Sequence, residues 1–505
     1  MSPRAYWSIT VLILIVALIP RVIPLFNNNF YFTMDQGVDA IAAREIWTGY
    51  RQTLLGSESS LRGLYAGPLW HYFIAIGYFL SGGHPAGPVI LLITLNILLT
   101  FIIIRKVSKE VSPKIGLLVG ALLQISWMYY DSSRYAFNPF PNTFLGFLII
   151  IFLADFLNGE TRKYLLAAIP VGLFFHTDLA PAITINIFYF GLGLFALLTR
   201  RLKLRNLISA GLLVALFLLP HFASEFMTGF SQTHALIKEF SNPHGVFSNT
   251  QFTLLGEKMF LGISKGIYNQ IPEIGFLGFV IAIILLIRRV RPRVNPFTKN
   301  FIILSIALLL ISWLFFASNL GWRDWHTNFL SPLIFVSLLL ALSALPISIF
   351  VPLILLTIFS HSRFFLTRYW QSVIPNDDPS ILANEIRAID WTYSQAKDKS
   401  LSVYVWIPSI YDYHFEYLFW WYGKNKNGYF PCELNTYPGA PKTYLPSGYE
   451  KYEKPRGNCP ANTKVLIMEP DKNGQIDQIW YRDITEKSNL KGQTKIGKLR
   501  LEVYD

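Results

Sequence analysis

Long apolar runs recur through the first 366 residues and restrict the folds open to this chain more than any other feature. A helix needs about 20 predominantly apolar residues to cross the hydrocarbon core of a bilayer. The runs cover residues 6–26, 87–104, 115–130, 143–157, 165–177, 180–198, 207–222, 274–288, 301–316, 330–345 and 347–366. We therefore predict a mostly α, polytopic membrane bundle of about eleven spans, in which the shorter runs extend into their flanking loops.

Basic residues are clustered between these runs and indicate an orientation. Of the 505 residues, 52% are hydrophobic and 15% are charged, with a net charge of +13. Basic clusters lie at 105–114, 162–163, 200–205 and 288–299, and cytoplasmic loops are enriched in Lys and Arg. Every cluster is cytoplasmic if the amino terminus is cytoplasmic and residues 67–80 do not cross. We predict this multi-pass topology in the cell membrane, and no nucleic-acid partner, because the basic charge belongs to membrane loops.

The tail, residues 367–505, has the pattern of a soluble domain. Residues 380–396 mix apolar and charged side chains at helical spacing, whereas 402–407 and 463–468 read as buried strands. On the predicted topology this tail is an extracytoplasmic α/β domain. Both cysteines of the chain lie in it, and they are compatible with a disulfide outside the cytoplasm.

Within the membrane domain, residues 1–366, the first outer loop covers 27–86 and concentrates acids, amides and arginines. Asp35 lies a few residues beyond the first apolar run, and an amphipathic pattern over 38–47 follows it. Such a helix fits the plane of the membrane surface. A carboxylate here can act as a general base, hold a metal or pair with an arginine. Asp39 shares a face with Asp35 if the helix starts early. The alternative is a solvated loop with a surface helix.

Other polar residues at the predicted outer helix ends are candidates for ligand binding. Arginines can pair with a lipid phosphate, and histidines can hydrogen-bond a sugar or a phosphate. With a carboxylate, the histidines could also bind a divalent metal, although no ligand spacing typical of a metal site is present. These candidates are Arg62, Arg134, Arg323, His71, His176 and His326.

Three outer segments, in their order along the chain, resemble those of a known superfamily. In the first, Asp35-Gln36 opens a helix that is followed by GPLWHY at 67–72. The second is SRYAFNP at 133–139, and the third is WHT at 325–327. The arrangement resembles the GT-C membrane glycosyltransferases, and among them the protein O-mannosyltransferase and aminoarabinose-transferase branch. The resemblance covers about the first 345 residues.

This resemblance implies inverting transfer of a monosaccharide from a polyprenyl-phosphate-linked donor to an extracytoplasmic protein, lipid or cell-envelope glycan. Asp35 would be the catalytic carboxylate, with Asp39 and Asn138 among the substrate-binding residues. No cofactor is certain, and a divalent metal stays open. The chain departs from the family where Gln36 replaces the usual Glu and where Asn138 replaces a carboxylate. Gly67 stands where some members have a phosphate-binding Lys.

Two other functions fit a polytopic chain of this composition. A flippase or transporter of a lipid-linked sugar would place charged or discontinuous segments near the bilayer midplane and contain paired repeats. A polysaccharide polymerase or ligase would depend on arginine-rich outer loops more than on an early aspartate. The acids of this chain gather at outer helix ends and no internal repeat is visible, which favours the glycosyltransferase.

Overall fold

The computed structural model describes residues 1–59, 63–241, 256, 295–317, 323–396, 401–408, 411–435, 463–471, 476–486 and 488–505. Helices dominate these residues, and a small sheet lies near the carboxyl terminus. The predicted span at 274–288, Arg62 and Cys459 lie outside the described residues. The expectations for them, including pairing of Cys459 with Cys432, remain predictions.

The amino-terminal domain alternates long apolar helices with shorter ones. Up to residue 241 they are α1 (Pro3–Phe26), α2 (Met34–Trp47), α3 (Leu69–Leu80), α4 (Ala86–Glu110), α5 (Pro113–Gln124), α6 (Trp127–Asp131), α7 (Pro141–Leu157), α8 (Arg162–Leu173), α9 (Leu179–Leu198), α10 (Leu204–Thr228) and α11 (Ser231–Ser241). Later come α12 (Pro296–Ala317), α13 (Leu330–Leu342) and α14 (Ile347–Val373). Short 3₁₀ turns at Phe174–His176 and Asp324–His326 precede α9 and α13.

Six of the described helices, α1, α4, α9, α10, α12 and α14, are long and apolar enough to cross a membrane. Large apolar side chains on them face outwards, and Leu12 and Leu212 are 58% and 67% exposed. An exposed apolar surface of this kind is stable against lipid rather than water. The chain is therefore a multi-pass membrane protein. Helix α3 has 12 residues, as many as α5 and α8, and spans about 18 Å. That residues 67–80 do not cross stays a prediction.

The centre of the bundle is formed by α7 and α13. Phe147 and Ile150 of α7, and Leu333 and Phe335 of α13, are fully buried. A helix that is apolar all round is stable only when its whole surface is covered. The other helices pack around α7 and α13. Polar residues lie at the ends of these surrounding helices.

Helix α2 begins at a capping box. The backbone N–H and the hydroxyl of Thr33 both donate to Oε1 of Gln36, at 2.9 and 2.6 Å. Gln36 is buried, so the amide at this position serves the start of the helix. Because α2 starts at Met34, Asp35 and Asp39 lie in consecutive turns of one helix, as the early-start alternative predicted.

The prediction that α2 lies on the membrane surface is wrong. Residues 36–45 are all buried, and α2 packs against α3 and the carboxyl-terminal domain. Its charged residues tolerate burial because Arg44 donates to Glu45 at 3.0 Å. The guanidinium of Arg44 also lies 5.1 Å from the ring of Trp420. Pairing and ring contact replace the water that a surface helix would have had.

The carboxyl-terminal domain is a small α/β unit. Its elements are α15 (Leu382–Gln395), β1 (Leu401–Trp406), α16 (Tyr413–Leu418), a π-helical turn (Phe419–Gly423), α17 (Lys424–Asn427), β2 (Glu433–Asn435), β3 (Thr463–Met468), α18 (Gln478–Thr485), β4 (Leu490–Ile496) and β5 (Leu499–Tyr504). The strand order is β2-β1-β3-β5-β4, with β1 parallel to β2 and β3. Strand β5 is antiparallel to β3 and β4. The helix predicted at 380–396 and the strands predicted at 402–407 and 463–468 are confirmed. Helix α14 continues past residue 366 to Val373.

This domain packs directly on the segment that links α1 to α3. The backbone N–H of Phe32 donates to the carbonyl of Ser380 at 2.9 Å. A Cβ on Gly37 would lie 2.2 Å from the backbone nitrogen of His414, so only glycine lets α2 approach α16 this closely. The carboxyl-terminal domain therefore helps to set the position of α2.

Candidate active site

A polar cavity of about 340 Å³ lies where the start of α2 and several connecting segments meet. Its walls come from the start of α2, residues 57–59, residues 137–139, the residue that precedes α9, and Arg323, Trp325 and His326. Segments that are distant in sequence thus converge on one space. Five of the residues proposed from the sequence line it: Asp35, Asp39, Asn138, Arg323 and His326.

Asp35, in the first turn of α2, has a carboxylate that opens to the cavity. The residue is exposed to the cavity, but nearby protein atoms still desolvate its carboxyl group, and this desolvation, followed by the negative charge of Asp39, raises the pKa of Asp35 to about 6. Within the described parts of the chain, the Asp35 carboxylate has no hydrogen-bond donor and no cationic partner. A free carboxylate with this pKa is ionised at neutral pH and can accept a proton from a nucleophile.

Asp39 has the same side chain in a different environment, because donors occupy its carboxylate. Its Oδ2 accepts from the indole Nε1 of Trp70 at 2.6 Å. Its Oδ1 accepts from the hydroxyl of Ser57 at 2.5 Å and lies 3.0 Å from Nε2 of His71. The residue is only 4% exposed. Asp39 is therefore held in one orientation, and it adds negative charge beside Asp35 without being free to act as a base.

A second fixed pair joins Asp178 and His326. Asp178 is the N-cap of α9, where its Oδ1 accepts from the N–H of Ala180 at 3.4 Å, and its Oδ2 lies 2.8 Å from Nδ1 of His326. The His326 ring stacks on Phe316, with ring centroids 5.6 Å apart and an interplanar angle of 8°. Its buried Nε2 has no hydrogen-bond partner among the described residues. Such an atom is satisfied when a ligand or water bonds to it.

Two loops add a cation, an amide and aromatic rings. Arg323 is exposed, lines the cavity and makes no ion pair with any described residue. The Asn138 amide donates to the carbonyl of Thr177 at 2.8 Å, which ties its loop to the turn before α9. The rings of Phe137 and Trp325 meet edge to face, 6.1 Å apart. The cavity thus combines a free guanidinium with a free carboxylate.

An apolar cavity of about 240 Å³ adjoins the polar one, and both have Ser59 and Asp178 in their walls. Leu179 and Ile183 of α9 and Leu218 and Phe222 of α10 line much of it. A polar site that borders an apolar space between two membrane helices suits an amphipathic ligand.

Three residues proposed from the sequence lie away from the polar cavity. His71 does not line this cavity, and its Nε2 lies within hydrogen-bond distance of Asp39 and Ser57. Arg134 lines a different cavity. His176 packs on Gly67, where a Cβ would lie 1.9 Å from Nδ1 of the ring. The His176 ring therefore explains why glycine, and no larger residue, stands at position 67.

The sequence did not single out Glu58 or Ser57 as site residues, and it suggested Asp178 only as a possible partner of the histidines in a metal site. The signal available for Asp178 was an aspartate directly before an apolar helix, a common N-cap. Glu58 accepts from the N–H of Gly63 at 2.7 Å, and no local sequence pattern predicts this contact. Within the described ranges, no three His, Cys, Asp or Glu side chains are grouped to hold a metal ion, and we assign no role to a metal.

Comparison with solved structures identifies the architecture. The crystal structure of ArnT from Cupriavidus metallidurans bound to undecaprenyl phosphate aligns with a TM-score of 0.58 at 12% identity, covering 98% of this chain and 97% of that one. The apo structure of ArnT aligns with a TM-score of 0.58 at 13% identity, covering 99% and 98%. No protein-family model matches the sequence, and no curated protein shows significant similarity to it.

The chain therefore shares the fold of ArnT along nearly its full length, carboxyl-terminal domain included, which agrees with the resemblance seen in the sequence. The predicted fold class, a membrane helical bundle followed by a small α/β domain, is confirmed.

Proposed function

We propose that this protein transfers a monosaccharide from a polyprenyl-phosphate-linked donor to an extracytoplasmic acceptor, with inversion at the sugar carbon. Asp35 is the catalytic base in this proposal. The observation that carries it is the unpaired Asp35 carboxylate in a polar cavity that borders an apolar one.

The site matches the three parts of such a donor. The apolar cavity between α9 and α10 suits the isoprenoid chain. Arg323 offers an unpaired cation for the phosphate, while Asn138 and the Asp178–His326 pair offer polar groups to the sugar. ArnT, which shares this fold, was crystallised with undecaprenyl phosphate, a lipid of the proposed type.

The chemistry requires one proton acceptor and one stabilised leaving group. Asp35 accepts the proton of an acceptor hydroxyl or amine as the heavy atom of that group bonds to the anomeric carbon. The bond from that carbon to the phosphate oxygen breaks, and the electron pair leaves with polyprenyl phosphate. Attack and departure on opposite faces invert the carbon. The departing phosphate needs a cation more than a proton, and Arg323 is placed to supply it.

The proposed orientation follows from the charge clusters of the loops. The amino terminus is cytoplasmic, the active site of the 1–366 membrane domain opens at the outer face of the cell membrane, and residues 367–505 are extracytoplasmic. Because the carboxyl-terminal domain packs on the loop at 27–86, it is positioned to restrict which acceptors approach Asp35.

The test is release of polyprenyl phosphate from a panel of radiolabelled polyprenyl-phosphate monosaccharides by the purified protein, with a native envelope extract as the acceptor. Wild type should release the lipid from at least one donor, and Asp35→Asn should lower the rate about 10²- to 10⁴-fold, the usual contribution of a general base. Asp324→Asn is the matched control, since Asp324 is an exposed carboxylate near the cavity that does not line it.

Two results would contradict the proposal. One is full release by folded Asp35→Asn, which would move the proton acceptor elsewhere. The other is movement of intact donor across proteoliposomes without cleavage, which would identify a transporter.

A further inference from the structure

A second polar cavity, of about 110 Å³, lies at the outer end of α14. Its walls come from residues 29–31, Trp127, Arg134 and the stretch from Arg368 to Asn376, with Ile381 at the edge. It shares no lining residue with the cavity that contains Asp35. The glycosyl-transfer chemistry leaves this cavity without a role.

Arg134 is built into the wall of this cavity. Its guanidinium carbon lies 5.2 Å from the ring centroids of both Tyr31 and Trp127, so its plane is held by two aromatic contacts. Of the Arg134 guanidinium nitrogens, only Nε donates to the carboxylate of Asp131, at 2.9 Å. The two terminal nitrogens of Arg134 make no hydrogen bond to any described residue. A held guanidinium with free terminal N–H groups is suited to bidentate recognition of an anion.

The other polar residues that line this cavity also favour an anion. Arg368 lines the cavity, is exposed, and has no ion pair within the described residues. The amide side chains of Gln371 and Asn376 also line it, and no carboxylate does. Asp131 offsets part of the charge on Arg134, and Asp378 lies near Tyr31 without lining the cavity. Arg368 is the lining cation without an ion pair among the described residues. The lining as a whole therefore favours an anion.

The position of the cavity indicates where that anion comes from. Leu366 and Trp370, on either side of Arg368 in α14, are 50% and 57% exposed. Exposed apolar residues at the end of a membrane helix face lipid, and Trp is enriched at the level of the headgroups. A group that enters beside Arg368 therefore lies among lipid headgroups.

We propose that this cavity binds the phosphate group of a membrane lipid headgroup, held between Arg134 and Arg368. The site is distinct from the catalytic cavity and does not depend on the proposed transferase reaction. It is nevertheless connected to that cavity through one loop, because the segment that carries Arg134 continues to Phe137 and Asn138, which line the active site. An occupied site would fix one end of this loop.

The test is calorimetric titration of the purified full-length protein in detergent with dihexanoylphosphatidic acid, a soluble lipid with a phosphate headgroup. Parallel titrations use dihexanoylglycerol, which lacks the phosphate, and inorganic phosphate, which lacks the chains. We expect the phosphate lipid to bind wild type, the neutral lipid not to bind, and free phosphate to bind more weakly. Arg368→Gln should weaken binding about tenfold or more, the loss expected for charge-assisted hydrogen bonds.

Arg363→Gln is the matched control, because Arg363 is an exposed arginine of the same helix outside the cavity. Arg134→Gln is a second variant, but Arg134 also contacts Asp131 and three rings, so the test is decided on the exposed Arg368. Equal losses in Arg363→Gln and Arg368→Gln would show general surface attraction and overturn the site. Equal binding of the neutral lipid would overturn phosphate recognition, and equal binding of inorganic phosphate would overturn the assignment to a lipid.

Discussion

Asp35 and Asp39 lie one turn apart on the same helix and line the same cavity, yet only Asp39 is hydrogen-bonded. Three side chains donate to or contact the Asp39 carboxylate, while Asp35 has no such partner within the described residues. The two carboxylates therefore have different environments. Donors hold Asp39 in the wall of the cavity, whereas Asp35 is the carboxylate that we propose for proton transfer.

The rate of transfer should depend on the ionisation of Asp35. Desolvation and then the charge of Asp39 raise its pKa to about 6, so the base is protonated, and inactive, at lower pH. We expect kcat/KM to fall about tenfold per pH unit below a midpoint near 6 and to be level just above it. The measurement is a pH profile from 4.5 to 8 on protein shown to stay folded. A profile that is flat down to pH 5 would contradict this role.

Removal of the donor to Oδ2 should weaken the Asp39 network. Trp70→Phe deletes the 2.6 Å hydrogen bond and leaves a buried charged acceptor with one partner fewer. We expect the free energy of unfolding to fall by about 1.5–3 kcal/mol and transfer to slow. Trp421→Phe serves as the control, since it removes a bond of similar length, 2.9 Å to the carbonyl of Gly82, at an exposed site. Equal stability of the two variants in chemical denaturation would argue against a structural role for Trp70.

Position 67 should tolerate no side chain while His176 is present. Gly67→Ala places a Cβ 1.9 Å from the His176 ring, and we expect a loss of thermal stability or failure to fold. Gly191→Ala is the control, because a Cβ there meets nothing within 4 Å. The double variant Gly67→Ala/His176→Ala should recover part of the loss, and a thermodynamic cycle over the four proteins measures that coupling. No coupling would mean that the two residues are not in contact.

Arg323 should act on the phosphate of the donor. Arg323→Gln removes the only cation that lines the polar cavity among the described residues, and we expect kcat/KM for the donor to fall about tenfold or more. Arg363→Gln, at an exposed arginine outside the cavity, should leave kcat/KM unchanged. Steady-state kinetics with varied donor concentration distinguishes the two, and an equal effect of both would point to general attraction of an anionic lipid.

Much of the fold was predictable from local sequence. Apolar length and basic clusters indicate a multi-pass bundle, and short periodic patterns in the tail placed α15, β1 and β3 within about two residues. Helix α2 was predictable as a helix but not as a buried one. Its burial depends on the contact of Gly37 with α16 and of Arg44 with the ring of Trp420, and both become visible only when distant segments are packed together.

In the candidate site, too, the sequence predicts the local features and packing decides the contacts. The sequence by itself determined a polytopic membrane chain, a helix that carries two aspartates at its start and a set of outer arginines and histidines, because hydropathy, helical period and capping act over a few residues. Only the tertiary structure decided which of those residues meet. Packing placed Arg323 and His326 in the cavity with Asp35, moved Arg134 to a separate cavity beside Arg368, and turned His176 against Gly67. Helical period cannot specify such contacts, since they depend on how helices far apart in sequence pack together.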